Sequence, residues 1–557
     1  MEKIFILTLG SILLISCKKD NAPKTPVVVL SSGPFNFIKA SVNDSSNSSL
    51  VFYNVSTNPL LKFSFSAPID TSTVRGNVAL AGTSILTVNY SYANHDSTLI
   101  IQPVTALQPL TNYTFTILTN VKSTADSALK SIVRLTLITQ IDTFNKFPFI
   151  SDSALLTLVE EQTFNYFWTF GHPVSGLARE RTSSGDIVTT GGSGFGIMSM
   201  LVGVQRDFIT RAQALGRIDT IVNFLTNNVT RYHGAFPHWL NGTTGATVPF
   251  STQDDGGDIV ETSYMIQGLL CARQYFNSTT DPNEINLRNS INNIYDSVQW
   301  NWYRQNGQNA LTWNWSPDYG WAINVHVQGW CEALIAYVLA ASSPVAANAI
   351  PSVVYTNGWA QNGAMKNGNS YYGVPLPLGP AYGGPLFFAH YSFLGINPTG
   401  LSDAYANYWA QDTAHATINY LYCLSNPNHY YGYSSSCWGL TASDIQNGYT
   451  ASSPTNDVGV IAPTAAISSL PYTPTQSMNA LRFFYYKLGD KIWGQYGFID
   501  AFNLTNLWYD TDCLAIDQGP QIVMIENYRT GLLWDLFMSC PEVKAGMIGL
   551  GFTSPNL

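Results

Sequence analysis

The hydrophobic pattern of this chain changes period once, near residue 140, and that change limits what its two parts can fold into. Before it, short runs such as LKFSFS, ILTVNYSY, STLIIQP, NYTFTILT and VRLTLIT alternate apolar and polar residues between turn residues. A period of two puts every second side chain on one face, which predicts a small all-β sandwich. After Ile150 the spacing becomes helical. ALLTLVEEQTFNYFWTF reads as an amphipathic helix capped by Asp152 or Ser153. Further helical runs fall near 194–207, 211–227, 259–276, 283–300, 328–341, 403–424, 476–488 and 520–539, with weaker ones near 344–355, 385–394 and 460–470. Roughly a dozen helices between Gly-, Pro- and Asn-rich loops predict helix pairs closing into an all-α (α/α)6 barrel.

The expected organisation is a sandwich over 33–140, a linker over 141–150 and a helical domain over 151–557. The amino terminus, MEKIFILTLGSILLISCKKDN, has a basic residue, a short apolar core and then Cys17. That core is too short to span a bilayer and suits a secretory signal over residues 1–17. LISC resembles a bacterial lipobox, which would make Cys17 the lipidated residue, with 18–32 as a tether. CKKD resembles the short surface-export signal of Bacteroidetes lipoproteins. The expected address is the outer membrane, held by lipid alone.

Net charge is −9 and no run of five basic residues occurs, which argues against nucleic acid as a partner. The six cysteines beyond Cys17 show no zinc spacing and read as buried thiols, with one disulfide left open. No cofactor is expected, and the protein is expected to act as a monomer.

Charged residues make up only 11% of the chain, so the stretch QDDGGDIVETSYMIQGLL stands out. It holds Asp254, Asp255, Asp258 and Glu261 around two glycines, at the start of an apolar helix. Asp258 with Glu261 three residues on also fits a capping box, which needs no function. A cap does not account for Asp254 and Asp255, whose like charges crowd the same turn. Clustered carboxylates in differing environments are what acid/base chemistry requires. The glycine pair lacks the ligand spacing of a calcium loop.

Two more helices open on an acid. Glu332 leads GWCEALIAYVLAASSP, and Asp517 precedes Pro520, which fits the first position of a helix. Each can be read as a favourable charge at a helix amino end. If inner helices share one direction, their amino ends converge on one cavity. TTGGSGFG offers backbone amides ahead of a helix to a hydroxyl or anion. His238 and Trp239 sit in a glycine-bounded loop, where Trp can stack on a sugar face. Glu526 and Arg529, three apart, can pair with each other.

Several stretches together carry a family resemblance: GGDIVETSYM, GWCEALIAYVLAASSP, GGPLFFAHYSFLGINP, CWGLTASD, GVIAPTAAISSLPYTPTQSMNALRFFY, YGFIDAFN and IDQGPQIVMIENYRTGLLWDLFM. They resemble the glucoamylase-like domain of glycoside hydrolase family 144, over about residues 151–552. The preceding sandwich resembles a bacterial Ig-like domain, read as a spacer or a carbohydrate-binding module. The resemblance implies an (α/α)6 barrel that cleaves β-1,2-glucan by inversion without a metal. It implies Asp254, Asp258, Glu261, Glu332 and Asp517 as the acids of the pocket. Trp239, His238, Trp330, Tyr391 and Trp438 are the expected sugar contacts. Cys331 stands where Asn or His is expected.

Inversion needs a protonated acid and a carboxylate base, typically about 6.5–9.5 Å apart with water between. Glu332, flanked by Trp330, Cys331 and apolar residues, is the expected acid, because such surroundings raise a carboxyl pKa. Asp517 is the expected base, kept ionised by its helix amino terminus. Two other classes stay open: a non-catalytic glycan-binding lipoprotein, which would release no reducing ends, and a polysaccharide lyase, whose products absorb ultraviolet light.

Overall fold

The computed structural model describes residues 33–557, in two compact units that divide between Gln140 and Ile141. Cys17, the signal segment and the tether lie outside the described residues.

In the first unit, strands β1 (Phe37–Val42), β2 (Ser45–Ser46), β3 (Val51–Val55), β4 (Leu61–Phe65), β5 (Val78–Ala81), β6 (Ile85–Leu86), β7 (Val88–Ala93), β8 (Thr98–Pro103), β9 (Asn112–Ile117) and β10 (Val133–Thr139) form two sheets. Their orders are β2-β1-β4-β8-β7 and β3-β10-β9-β5-β6. The β3–β10 pair is parallel. The alternation seen in the sequence is realised directly: Leu61, Phe63 and Phe65 of β4 point inward while Lys62 and Ser64 do not. Phe63 stacks on Phe115 of β9 with ring centroids 4.7 Å apart, joining the two sheets across the core.

The second unit is helical: α1 (Asp152–Trp168), α2 (Thr190–Gln205), α3 (Arg211–Asn227), α4 (Ile259–Tyr275), α5 (Pro282–Asp296), α6 (Leu334–Ala341), α7 (Ser352–Val354), α8 (Tyr408–Ser425), α9 (Pro463–Ser468), α10 (Pro474–Ile492), α11 (Ala515–Arg529), α12 (Leu532–Met538) and α13 (Pro541–Gly549). The cap of α1 is Ser151, whose Oγ accepts the Ala154 amide at 3.2 Å, rather than Asp152 or Ser153. Five helices, α2, α4, α6, α9 and α11, are buried on nearly every side. The others bury one stripe, as surface helices do. Helix α4 packs on α2 and α6, and α11 packs on α2 and α9.

The α2–α4 contact is as close as backbones allow. A Cβ on Gly194 would lie 2.2 Å from the Tyr264 carbonyl oxygen, and one on Gly268 would lie 2.1 Å from the Gly194 oxygen. Glycine is required at both because backbone meets backbone there.

Three local expectations are corrected. TTGGSGFG is not a loop; from Thr190 it forms the first turns of α2. Pro520 does not start a helix but lies inside α11, which begins five residues earlier. Glu526 and Arg529 do not pair with each other: Glu526 bonds Arg206 of α2 at 2.7 Å and Arg529 bonds Glu160 of α1. Both acids are fully buried, so these pairs tie α1, α2 and α11 together. Residues 141–150 have no regular secondary structure and lie along α10, with Phe147 stacked on Tyr485 at 4.6 Å and the Lys146 amide bonded to the Tyr486 carbonyl. All six cysteines among the described residues are free thiols. No described helix is long and apolar enough to cross a membrane.

Candidate active site

The amino ends of four buried helices meet at one cleft of about 430 Å³. Thr189 caps α2, Glu261 lies in the first turn of α4, Glu332 lies just before the N-cap of α6, and Leu514 and Ile516 open α11; all five line the cleft. Aromatic rings of His238, Trp239, Phe250, Tyr264, Trp313, Phe387, Tyr391 and Tyr449 form much of the remaining wall.

Asp258 is fully buried and is the N-cap of α4. Its Oδ1 accepts the amides of Val260 and Glu261, each at 2.9 Å. Its Oδ2 lies 3.0 Å from His238 Nδ1 and accepts Trp313 Nε1 at 3.2 Å. Both oxygens are thus occupied, and Asp258 fixes the His238 and Trp313 rings at the cleft. Burial pulls the His238 pKa down, but Glu261 and Asp258 outweigh it and raise it to about 9. His238 is therefore an imidazolium at neutral pH, packed on Phe250 at 4.3 Å and edge-on to Trp239.

Glu261 reaches from α4 to the amino end of α2, where its Oε2 accepts the Gly191 amide at 2.6 Å and the Thr189 hydroxyl at 3.4 Å. The anion expected at TTGGSGFG is thus the protein's own carboxylate. Burial raises Glu261 to about 7 against the opposing pull of His238. Asp254 is raised to about 6 by burial and by Asp258, while a hydrogen bond with Asn314 opposes the rise.

Glu332 sits in a turn one residue short of the α6 N-cap rather than inside the helix. Its backbone carbonyl accepts Ser392 Oγ and Tyr264 Oη, which pins the turn. Burial raises its carboxyl to about 7, with Asp258 and Glu261 adding repulsion. Asp517, in the first turn of α11, is 4% exposed and raised to about 7, chiefly by burial. The helix amino terminus does not keep it in the ordinary carboxylate range, because desolvation outweighs the favourable dipole. Burial pushes the Tyr391 hydroxyl well up, and Asp517, Tyr449, Glu332 and Glu261 add to the rise.

Two expected sugar contacts are elsewhere. Trp438 is fully buried, edge-on to Tyr420, and Trp330 is 4% exposed and stacked on Phe393. Both rings belong to the packed core: Trp438 lies in a buried run of chain, and Trp330 is buried by its ring contacts although its chain neighbours are partly exposed. His238, Trp239 and Tyr391 do line the cleft. Among the described residues two groups are close enough to hold an ion, His238/Asp254/Asp258 and Asp444/Asp500/Asp510, with ligand atoms within 4.8 Å. In the first, the histidine nitrogen is already directed at Asp258.

Residues 324–541 match the family described as "Putative glucoamylase", and residues 38–139 match the bacterial Ig-like domain. An endo-β-1,2-glucanase from Chitinophaga pinensis, solved with sophorotriose and glucose, is 51% identical; the match covers 73% of this chain and all of that one, with a TM-score of 0.71. The chain belongs to the glucoamylase-like family of glycoside hydrolases. This is the family 144 type that its motifs resemble, preceded by an Ig-like domain. A β-1,2-glucanase from Parabacteroides distasonis is 36% identical over 94% of this chain and 74% of its own, with a TM-score of 0.70. An exo β-1,2-glucooligosaccharide sophorohydrolase (non-reducing end) from the same organism is 46% identical over 420 residues. That match takes in 72% of this chain but only 58% of the sophorohydrolase.

In this glucoamylase-like domain a second acidic group escaped the sequence reading. Glu180 and Arg181 line the cleft, Arg181 bonds Glu180 at 2.8 Å and Asp444 at 2.7 Å, and Asp500 accepts the Asp444 amide at 2.7 Å. Asp444 lies on the hairpin Ala442–Ile445/Gly448–Ala451, which brings Tyr449 to the cleft. These residues come from three distant segments, and no local spacing marks them. Asp444 and Asp500 do fall within the family stretches CWGLTASD and YGFIDAFN.

Proposed function

We propose that the chain is an exported hydrolase of β-1,2-glucan that works by inversion on an (α/α)6 barrel. In this reading the buried helices α2, α4, α6, α9 and α11, with the 3₁₀ turn Ser392–Leu394 beside α6 and α11, make the inner ring. The observation that carries the reading is a single aromatic-walled cleft flanked by two acidic groups whose carboxyls are raised toward neutrality.

Glu332 is the proton donor to the glycosidic oxygen. It faces the cleft and its buried setting keeps it protonated up to about pH 7, as a general acid requires. Asp517, at the start of α11, takes the proton from the attacking water. Glu261 and Asp258 are held by backbone amides and serve to position His238 and the sugar hydroxyls. The rings of Trp239, Trp313, Tyr391 and Tyr449 supply stacking surfaces for glucose units. Names of the relatives support the linkage: two of them are β-1,2-glucanases and one is a sophorohydrolase.

The test is to digest linear β-1,2-glucan and follow the new reducing ends by proton NMR. Inversion of a β linkage delivers the α-anomer first, which then mutarotates. First appearance of the β-anomer would rule out inversion. Binding without new reducing ends would instead make this a glycan-capture protein, and ultraviolet-absorbing products would make it a lyase. The export half of the proposal rests on the lipobox-like LISC. Cys17→Ala should release soluble protein or leave an unprocessed precursor; unchanged membrane fractionation would refute lipidation.

A further inference from the structure

Asp500 has no place in the mechanism above, yet it touches the proposed base. It is fully buried on the segment before α11. Its Oδ2 accepts the Asp444 amide at 2.7 Å, its Oδ1 and Asp517 Oδ2 are both buried with no donor from any other group, and the two carboxyls are close enough to bond each other. Two carboxyl groups can bond directly only through a proton, because a pair of carboxylates offers acceptors and no donor.

We propose that Asp500 is a positioning residue that holds a proton against Asp517, aiming Asp517 and leaving it as the member of the pair free to take a proton from water. This rests on the assignment of Asp517 as the base. The surrounding charges favour one proton in the pair. Asp444 and Glu180 face it with negative charge, and Arg181, the nearby cation, is already engaged by both of those acids. Asp510, Tyr391, Tyr449 and Cys513 also face the pair, all with their own ionisation pushed upward by burial. Burial lifts both carboxyls above the ordinary range, and the bond between them raises Asp500 and lowers Asp517, as expected when Asp500 is the donor. In turnover the water gives its proton to Asp517 as its oxygen bonds the anomeric carbon. Glu332 gives its proton to the departing oxygen, and the Asp500 proton is not consumed.

The geometry supplies its own conservative variant. In Asp500→Asn the amide oxygen can keep the Asp444 amide while the NH₂ group replaces the shared proton with a permanent donor. Asp500→Asn should therefore keep kcat within about tenfold of wild type, whereas Asp517→Asn should lose on the order of 10²-fold or more. Asp500→Ala removes the donor, so kcat/KM should fall and its acid limb should move to higher pH, since Asp517 then protonates more readily. The proposal is overturned if Asp500→Asn is as inactive as Asp517→Asn, or if folded Asp500→Ala leaves the pH profile where it was. A measurement without substrate separates the dyad from the glucanase reading. The infrared difference between wild type and Asp500→Asn at pH 7 should show one protonated carboxyl lost, with Asp412 and other buried acids cancelling. No lost band overturns the shared proton whatever the enzyme hydrolyses. The Asp444/Asp500/Asp510 oxygens lie within 4.8 Å, so a cation is the rival link. A Tm lowered by EDTA and restored by calcium in wild type, but not in Asp500→Asn, would likewise overturn it.

Discussion

The carboxylate of Glu261, on α4, accepts the backbone amide of Gly191, the second residue of α2, at 2.6 Å. A Cβ on Gly191 would itself lie 2.6 Å from that oxygen and 2.7 Å from the Tyr264 ring. The acid therefore joins two helices and lines the cleft with the same side chain. The site and the packing beneath it are built from one set of contacts, and each can be perturbed separately.

The proton donor can be tested by removing its proton alone. Glu332→Gln keeps size and most hydrogen bonding, and general acid catalysis is worth typically 10²–10⁴-fold, so kcat on β-1,2-glucan should fall by about that much. Binding of the glucan should persist, measured by calorimetry with the variant. If Glu332→Gln keeps more than about a tenth of wild-type kcat, the donor is another residue, and Glu261 is the next to substitute.

The same substitution predicts a change in stability with a definite sign. Glu332 titrates at about 7 in the folded chain against 4.5 ordinarily, so the folded state binds its proton more tightly. That contribution is complete below about pH 4.5 and is lost as pH rises through about 7. Glu332→Gln escapes the loss. Its Tm should match wild type near pH 4.5 and exceed it at pH 8, by a stability difference on the order of 1–3 kcal/mol. Equal Tm values at pH 8 would mean that the carboxyl is well solvated.

The α2–α4 contact sets a third expectation. Gly194→Ala forces a methyl within 2.2 Å of the Tyr264 carbonyl, and backbone on both sides cannot yield as a side chain would. Overpacking of this kind costs about 1–3 kcal/mol and occasionally more. Chemical denaturation should show that loss. Gly216→Ala on α3, where nothing lies within 4 Å, should be neutral or slightly stabilising.

Where the helical unit begins can be read from solubility and melting. A fragment starting at Ile141 keeps the Phe147–Tyr485 stack and the Lys146–Tyr486 bond and should hydrolyse soluble glucan at near the full rate. A fragment starting at Ser151 uncovers Tyr485 and Tyr486 of α10 and should melt earlier. Equal melting of the two fragments would show that residues 141–150 add nothing.

Much of this was legible before any coordinates. Helices α3 and α5 carry a one-sided apolar stripe: the expected run of α3 matches the structure to the residue, and that of α5 starts within one residue but runs four past its end at Asp296. Helices α2 and α11 are buried all round, and without a polar face their ends are harder to place. That is why TTGGSGFG looked like a loop and Pro520 like a start. The acids at helix amino ends were legible because a cap and an active-site acid share one local signature. The Arg181–Asp444 pair spans 263 residues of sequence, and only tertiary folding brings such groups together. Trp330 and Trp438 show the converse: a tryptophan in a family motif marks packing as readily as contact with sugar.

Pro520 has one more effect on the turn that carries Asp517. Having no amide, it cannot bond the Ile516 carbonyl four residues back, as the helix would otherwise require. The amides of Asp517 and Gln518 both turn to the single acceptor Leu514, at 3.2 and 2.9 Å. Ile516 lines the cleft beside that turn, so the proline shapes the backbone that carries both a piece of the wall and the proposed base.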